Sequence, residues 1–283
     1  MKMILSKKGI DGSFCKKPVP IEGVGEPLLF VPIPDNGINQ VKDEKTYNDL
    51  RMKEKIQEVV KYLKNGDMKS CCHVDPQLCS GCNDDNFLGS LGQIGAAQSH
   101  LSNKVSVGDL FLFYGWYKDG DLHSNGKNVL FGYLQVGKII PVNESQKLTS
   151  IESNPHWNKD KYQNVKGNTI YVAKEKLELG EGFDKNLKGY GMFKYSNELD
   201  LTDAHKKNRT NWKIEKFRNL KTSCKGRDGK AEFDENGAYN APCRCQEIVV
   251  DIGDSKDTNN LGRYSEFEIR KWIYYLISNH RIN

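Results

Sequence analysis

The residues best suited to chemistry crowd into one stretch, CCHVDPQLCSGCNDDNFLGSLGQIGAAQSH (71–100), which holds His73, Asp75, Gln93, Gln98 and His100. An imidazole titrates near neutrality and serves as acid or base, a carboxylate orients substrate or a divalent ion, and amides read a base edge or hold a sugar. His73, His100 and Asp75 are therefore candidate catalytic groups, with Gln93 and Gln98 as candidate substrate-binding groups. If residues 95–101 form a turn or two of helix, Gln93, Ala97 and His100 approach one face, with Gln98 one step round. The plainer alternative is that these side chains satisfy loop backbone groups, a common use of Asp, Gln and His in turns.

Two further carboxylates, Asp11 and Asp35, end predicted strands and could face one another across them. Such a pair holds a divalent metal or divides acid and base roles, although each is also an ordinary turn residue. No cofactor is fixed by this pattern. Hard carboxylate oxygens would favour magnesium or manganese, whereas thiolates would favour zinc, the less favoured option. Cys79 and Cys82 form a C-x-x-C pair close to Cys71 and Cys72, and Cys224, Cys243 and Cys245 lie far downstream. One such pair matches no zinc-finger spacing well, so plain reduced thiols compete with a zinc site and with a redox role. The stretch GSLGQIGAAQ is not a phosphate fingerprint, and no G-x-S-x-G, H-E-x-x-H or kinase set occurs.

The elements that must position these groups follow from periodicity and turn residues. Met1 to Ser6 reads as a strand, and the apolar run Leu28 to Ile33 is closed by Pro34 and Asp35. From Thr46, the residues Tyr47, Leu50, Ile56, Val59, Val60 and Leu63 fall on one stripe, predicting a helix stopped at Asn65 and Gly66. The runs 107–117 and 128–140 predict an antiparallel pair, and a third strand, Asn168 to Ala173, follows a loop containing Asn154, Pro155, His156 and Trp157. His156, Asp109, Tyr114 and Trp116 join the candidate substrate-binding set. Ser265 and Glu268 form a capping box before a C-terminal helix.

This order predicts an α+β fold, a single mixed-sheet domain over residues 1–283 with flanking helices. At 283 residues, with 37% hydrophobic and 28% charged residues, the chain can bury a sizeable core, and disordered and collagen-like classes are excluded. No apolar run is long enough to span a bilayer and the N-terminus does not read as a signal segment, so a cytoplasmic protein without a membrane partner is expected. The net charge of +5 is unevenly spread: residues 184–230 carry 13 Lys and Arg against 6 Asp and Glu. That segment is either a solvated surface or a phosphate-tracking patch with Tyr190, Phe193, Tyr195, Trp212 and Phe217 interleaved.

The run GQIGAAQSHL, followed by VGDLFLFYGWY and VLFGYLQVG, together with ILSKKGIDGS, VPIPD and HVDPQL, resembles the third type of the nucleotide-modification-associated domain family. The resemblance covers nearly the whole chain and implies a bacterial or phage protein concerned with making or handling modified bases in DNA. Carried over by position, the family pattern falls on Asp11, Asp35, His73, Asp75, Gln93, Gln98, His100 and Asp109. The cysteines stand outside it. A weaker similarity, a Gly-Asp opening an apolar strand before LFGYLQVG, resembles the central strands of PUA-like barrels around residues 105–175. It implies a base pocket walled by aromatics such as Phe113, Tyr114, Trp116 and Tyr117.

Three functions are therefore expected to compete. The first is an enzyme modifying a nucleobase or nucleotide. The second is a non-catalytic reader of modified nucleic acid, and the third a nucleotide-sensing phage-defence protein. Expected partners are a nucleotide or DNA, with other enzymes of a base-modification or defence pathway.

Overall fold

The computed structural model describes residues 1–35, 45–79, 87–119, 125–142, 154–157, 162, 165, 167–206, 208–224, 231–241, 246–253 and 262–282. Its strands are β1 (Lys2–Lys7), β2 (Val19–Pro20), β3 (Ile33–Pro34), β4 (Cys72–His73), β5 (Ser90–Gln93), β6 (Leu110–Lys118) and β7 (Lys127–Pro141). They continue with β8 (Thr169–Ala173), β9 (Tyr190–Met192), β10 (Asn211–Lys213), β11 (Lys221–Ser223), β12 (Ala231–Glu232), β13 (Ala238–Asn240) and β14 (Glu247–Asp251). The helices are α1 (Lys53–Val60), α2 (Gly95–Leu101) and α3 (Glu266–His280).

The two apolar, aromatic runs pair antiparallel as β6 and β7, from Leu110 opposite Gln135 to Tyr117 opposite Lys127. Nearly every side chain of β6 is buried, so the strand lacks alternation and is covered on both faces. Around this pair a mixed sheet is ordered β12-β11-β14-β1-β6-β7-β8-β5, with β2 also joined to β6 and β9 to β7. β1 runs parallel to β6, so a long crossover must link Lys7 to Leu110, and it adds β2 and β5 to the sheet on the way. The connection carries β2, β3, α1, β4, β5 and α2, and so contains the whole chemistry-rich stretch; β3 and β4, which flank α1 in the chain, pair antiparallel with each other. The fold is α+β, as expected.

The sheet curls without closing into a barrel. Strands β5 and β14 lie at distant places in the order, yet Gln93 Nε2 donates to Glu247 Oε1 across 2.5 Å. Helix α2 fastens the same gap, because His100 Nε2 meets the Ser223 carbonyl of β11 at 3.1 Å. These ties are side-chain contacts, and among the described residues no ladder joins β5 to β14. The region 105–175 thus contributes the antiparallel β6–β7–β8 unit to an open sheet, with no closed barrel.

Two expectations need correction. The helix predicted from Thr46 is broken: Tyr47–Asp49 forms a single 3-10 turn closed by the Thr46–Asp49 capping box, and α1 starts only at Lys53. Leu50 is extended and Met52 is left-handed, with φ 58, so one apolar stripe is served by two pieces. The aromatics of the basic segment are core residues, with Phe193 and Phe217 0% exposed and Trp212 1%, and so offer no stacking surface. Their spacing among lysines reflects alternation between a buried and a solvated face. The C-terminal helix is capped by Ser265 and Glu268 as predicted. No helix among the described residues is long and apolar enough to cross a membrane.

Candidate functional site

A histidine–aspartate centre forms where three segments meet. Strand β4 pairs with β3, placing His73 opposite Ile33, and Asp75 follows two residues later. Strand β5 lies beside Asp75, whose Oδ1 accepts from Gly92 N at 2.7 Å and from Asn154 Nδ2 at 3.3 Å. The third segment is a 3-10 turn, Pro155–Trp157, that presents His156. Asn154 Oδ1 accepts from His156 N at 2.9 Å, which fixes the turn that carries the ring.

The imidazole of His156 lies against the backbone of β5 at Gly92. A Cβ at Gly92 would fall 2.1 Å from two of its ring atoms, so the absence of a side chain there makes room for the histidine. On its far face the ring stacks on Tyr162 at 4.9 Å with an interplanar angle of 3°. Its tautomer follows from the hydrogen bonds. Asn168 Nδ2 donates to the His156 carbonyl at 2.8 Å, which directs Asn168 Oδ1 to His156 Nδ1 at 3.1 Å. Nδ1 therefore carries the proton and Nε2 presents a lone pair. Burial pushes the His156 pKa down to about 4, against the partial opposition of the Asp75 carboxylate, and the ring is neutral at pH 7.

That lone pair points at His73. The two Nε2 atoms are 3.1 Å apart and the rings meet edge to face. His73 Nδ1 in turn looks towards Asp35 Oδ2 at 3.7 Å and the Tyr162 hydroxyl at 3.4 Å. Three ligand atoms, one each from His73, Asp75 and His156, lie within 4.8 Å of one another. His156 and Asp75 are buried, whereas the His73 side chain is 15% exposed and Asp35 14%, so this pair forms the accessible rim. The centre can hold a proton or a cation between converging electron-pair donors.

The other expected residues are spread through the fold. His100 turns its nitrogens to the Ser223 carbonyl and Lys104 Nζ, and not to the other two histidines. Asp11 pairs with Lys7 and accepts from Ser13 N at 2.7 Å. Burial works against its charge, but Lys7 and Ser13 outweigh it and hold the carboxyl below its usual range. Asp11 and Asp35 therefore serve different neighbours. Gln93 binds Glu247, and Gln98 Oε1 accepts from the Tyr171 hydroxyl at 3.0 Å. Asp109 caps backbone, accepting from Lys2 N at 2.7 Å and Ser106 N at 2.9 Å.

Glu247 was not foreseen, and a lone Glu opening the run EIVVD gives little signal. It is 2% exposed, and burial raises its pKa even though Lys8 Nζ stands 3.3 Å away. Asn154, Asn168 and Tyr162 were also missed, since polar loop residues carry no periodicity. Of the cysteines, Cys79 is exposed and free, Cys72 is buried with its thiol pushed up to about 12 by burial, and Cys224 is buried and free. Cys82, Cys243 and Cys245 lie outside the described residues.

A separate cleft of about 1020 Å³ has the character of an anionic-ligand surface. Lys16, Lys17, Lys61, Lys118 and Arg209 line it against the single acid Glu58, and none of the three centre residues does. Trp116 borders the cleft with Arg209 over its ring at 4.5 Å, so one of the four expected pocket aromatics faces a cavity. Phe113, Tyr114 and Tyr117 are core, and Tyr114 packs against Trp212 at 5.0 Å.

No curated protein and no solved structure matches the chain. A family model, however, aligns with residues 2–251, from β1 through the whole crossover and the histidine–aspartate centre to the last strand of the sheet. The chain belongs to the family described as nucleotide modification associated domain 3.

Proposed function

We propose that this protein is an enzyme that modifies a nucleobase or nucleotide, and that the reaction takes place at His73, Asp75 and His156. The observation that carries the reading is the convergence of three electron-pair donors on one point, each held by its own outer partner, in a chain of a nucleotide-modification family. Structural polar groups in a core are paired donor to acceptor, because an unmatched group costs about 1–3 kcal/mol. Groups that can each offer an electron pair, arranged to face one another, are suited to a ligand as well. His73 and Asp35, at the rim, meet the substrate, and His156 forms the floor. The basic cleft supports a polymeric substrate, since Lys16, Lys17, Lys118 and Arg209, left over after Lys61 pairs with Glu58, would neutralise backbone phosphates.

The test is nucleoside mass spectrometry of DNA and of the nucleotide pool from cells expressing the chain. The same measurement is made with the double variant His73→Ala plus His156→Ala and with His100→Ala. A new mass that survives His100→Ala and vanishes in the double variant is expected. Absence of any new mass, even when hydroxymethylated DNA is supplied as precursor, would overturn the enzyme reading in favour of a reader or a nucleotide sensor. Steeply salt-dependent DNA binding would then identify the reader, and tight mononucleotide binding without DNA affinity the sensor.

A further inference from the structure

We infer that His73, Asp75 and His156 bind a single divalent transition-metal ion, of the zinc or iron(II) class, through two imidazole Nε2 atoms and one carboxylate oxygen. The spacing of the two imidazole nitrogens fits such an ion, and Asp75 is near enough to close on it. Two imidazole nitrogens each about 2.0–2.1 Å from a shared zinc at a tetrahedral angle lie about 3.3 Å apart. Here they are 3.1 Å apart, with the Asp75 carboxylate within 4.8 Å of both.

Orientation argues the same way. Ligating histidines hold the proton on the other ring nitrogen by donating it to a carbonyl or carboxylate, which turns the lone pair to the metal. His156 does this through Asn168 Oδ1 at 3.1 Å, and His73 Nδ1 faces the Asp35 carboxylate at 3.7 Å. The ligating carboxylate is expected to be hydrogen-bonded as well, and Asp75 Oδ1 accepts from Gly92 N and Asn154 Nδ2. All three ligands thus have an outer partner.

The donor set selects the ion. Two imidazoles disfavour magnesium, which prefers an octahedron of oxygens, and favour zinc or iron(II). Three protein ligands leave at least one position open towards the His73 rim, for water or a substrate oxygen, and there the ion would act as a Lewis acid or generate hydroxide. The inference rests on the reading of this centre as the reactive site. Its test reads metal binding alone, so that failure to bind an ion would sink this inference and leave the proposed function standing.

The experiment uses the full chain without a histidine tag, stripped of metal and titrated with Co²⁺ and Zn²⁺. Expected are one ion per chain and visible d–d bands of Co²⁺ without the near-ultraviolet charge-transfer band that thiolate ligands give. His156→Ala should abolish the d–d bands, and His100→Ala should leave them unchanged. Asp35→Asn, which keeps all three ligands, should weaken affinity about 10–100-fold with circular dichroism unaltered. Failure to bind either ion stoichiometrically, or wild-type binding by a folded His156→Ala chain, overturns the inference. Bands of thiolate character would do so too, by moving the site to the cysteines.

Discussion

Two buried polar clusters of this molecule are built on opposite principles. Around Lys127, which is 2% exposed, the ammonium donates to Asp119 Oδ2 at 2.5 Å, Tyr195 Oη at 2.5 Å and Asp200 Oδ2 at 2.8 Å. Burial opposes the charge of Lys127, but these hydrogen bonds outweigh it and hold its pKa above the usual value. One cation sits among acceptors and satisfies one oxygen of each carboxylate, while Asp119 Oδ1 and Asp200 Oδ1 are buried with no hydrogen-bond partner among the described residues. At His73, Asp75 and His156 two imidazole nitrogens and a carboxylate, each able to offer an electron pair, face each other, and among the described residues no cation stands between them. The comparison teaches that burial alone does not mark a site. What distinguishes the second cluster is that its hydrogen bonds hold the groups from behind and leave the front to something else.

The sharpest way to break this contrast is to remove one member of each cluster. His156→Ala should lower formation of the modified nucleoside by about 10²–10⁴-fold, the range for loss of a positioned catalytic group, with the chain still folded. Lys127→Met should do the reverse. It strands Asp119 and Asp200 without their cation and should cost about 3–5 kcal/mol in urea unfolding, towards the lower end because both acids reach solvent, with turnover per folded molecule unchanged. If Lys127→Met abolished turnover in chains that remain folded, the division into structural and reactive clusters would be wrong.

The histidine centre should also respond to acid in a defined window. His156 has a folded pKa of about 4 against an ordinary 6.5, so between these values the unfolded chain binds the proton more tightly. Stability is therefore full above about pH 6.5 and is lost as pH falls towards 4, by on the order of 3 kcal/mol from this group. Urea midpoints taken in chelator should show this slope in the wild type and a slope smaller by up to one proton in His156→Gln. Equal slopes would show that His156 is not buried neutral.

A finer test enters through the backbone. Gly92→Ala places a Cβ against the His156 ring and should cost about 1–3 kcal/mol, the usual range for overpacking. Because the ring must move, turnover should fall more than stability does. A variant that is destabilised but turns over normally would show that the ring's position over β5 is a matter of packing.

The parts of this fold legible in the sequence are those with a period or a cap. β6, β7 and β8 announced themselves by long apolar and β-branched runs, and α3 by the Ser265–Glu268 box. The helix from Thr46 misled because an apolar stripe does not report where the backbone breaks, here at Leu50 and Met52. In the candidate centre, the density of His, Asp and Gln over residues 71–100 brought His73 and Asp75 forward as chemistry, and His156 entered as a candidate substrate-binding residue of a separate loop. His100 drew attention because it shares a helix with Gln98, yet its nitrogens are spent on Ser223 and Lys104.

Composition, periodicity and turn chemistry by themselves determined an α+β chain with a buried antiparallel centre and a polar, Gly-rich stretch dense in catalytic residue types. These are properties of neighbours along the chain. Only the tertiary structure decided that His73 and Asp75 meet a histidine 83 residues beyond His73, that Gly92 clears the space for its ring, and that Asn168 sets its tautomer. The reason is physical. A site of this kind is assembled by side chains from a parallel-strand crossover and a distant loop, and no local energy term couples them until the curled sheet brings β4, β5 and the His156 turn together.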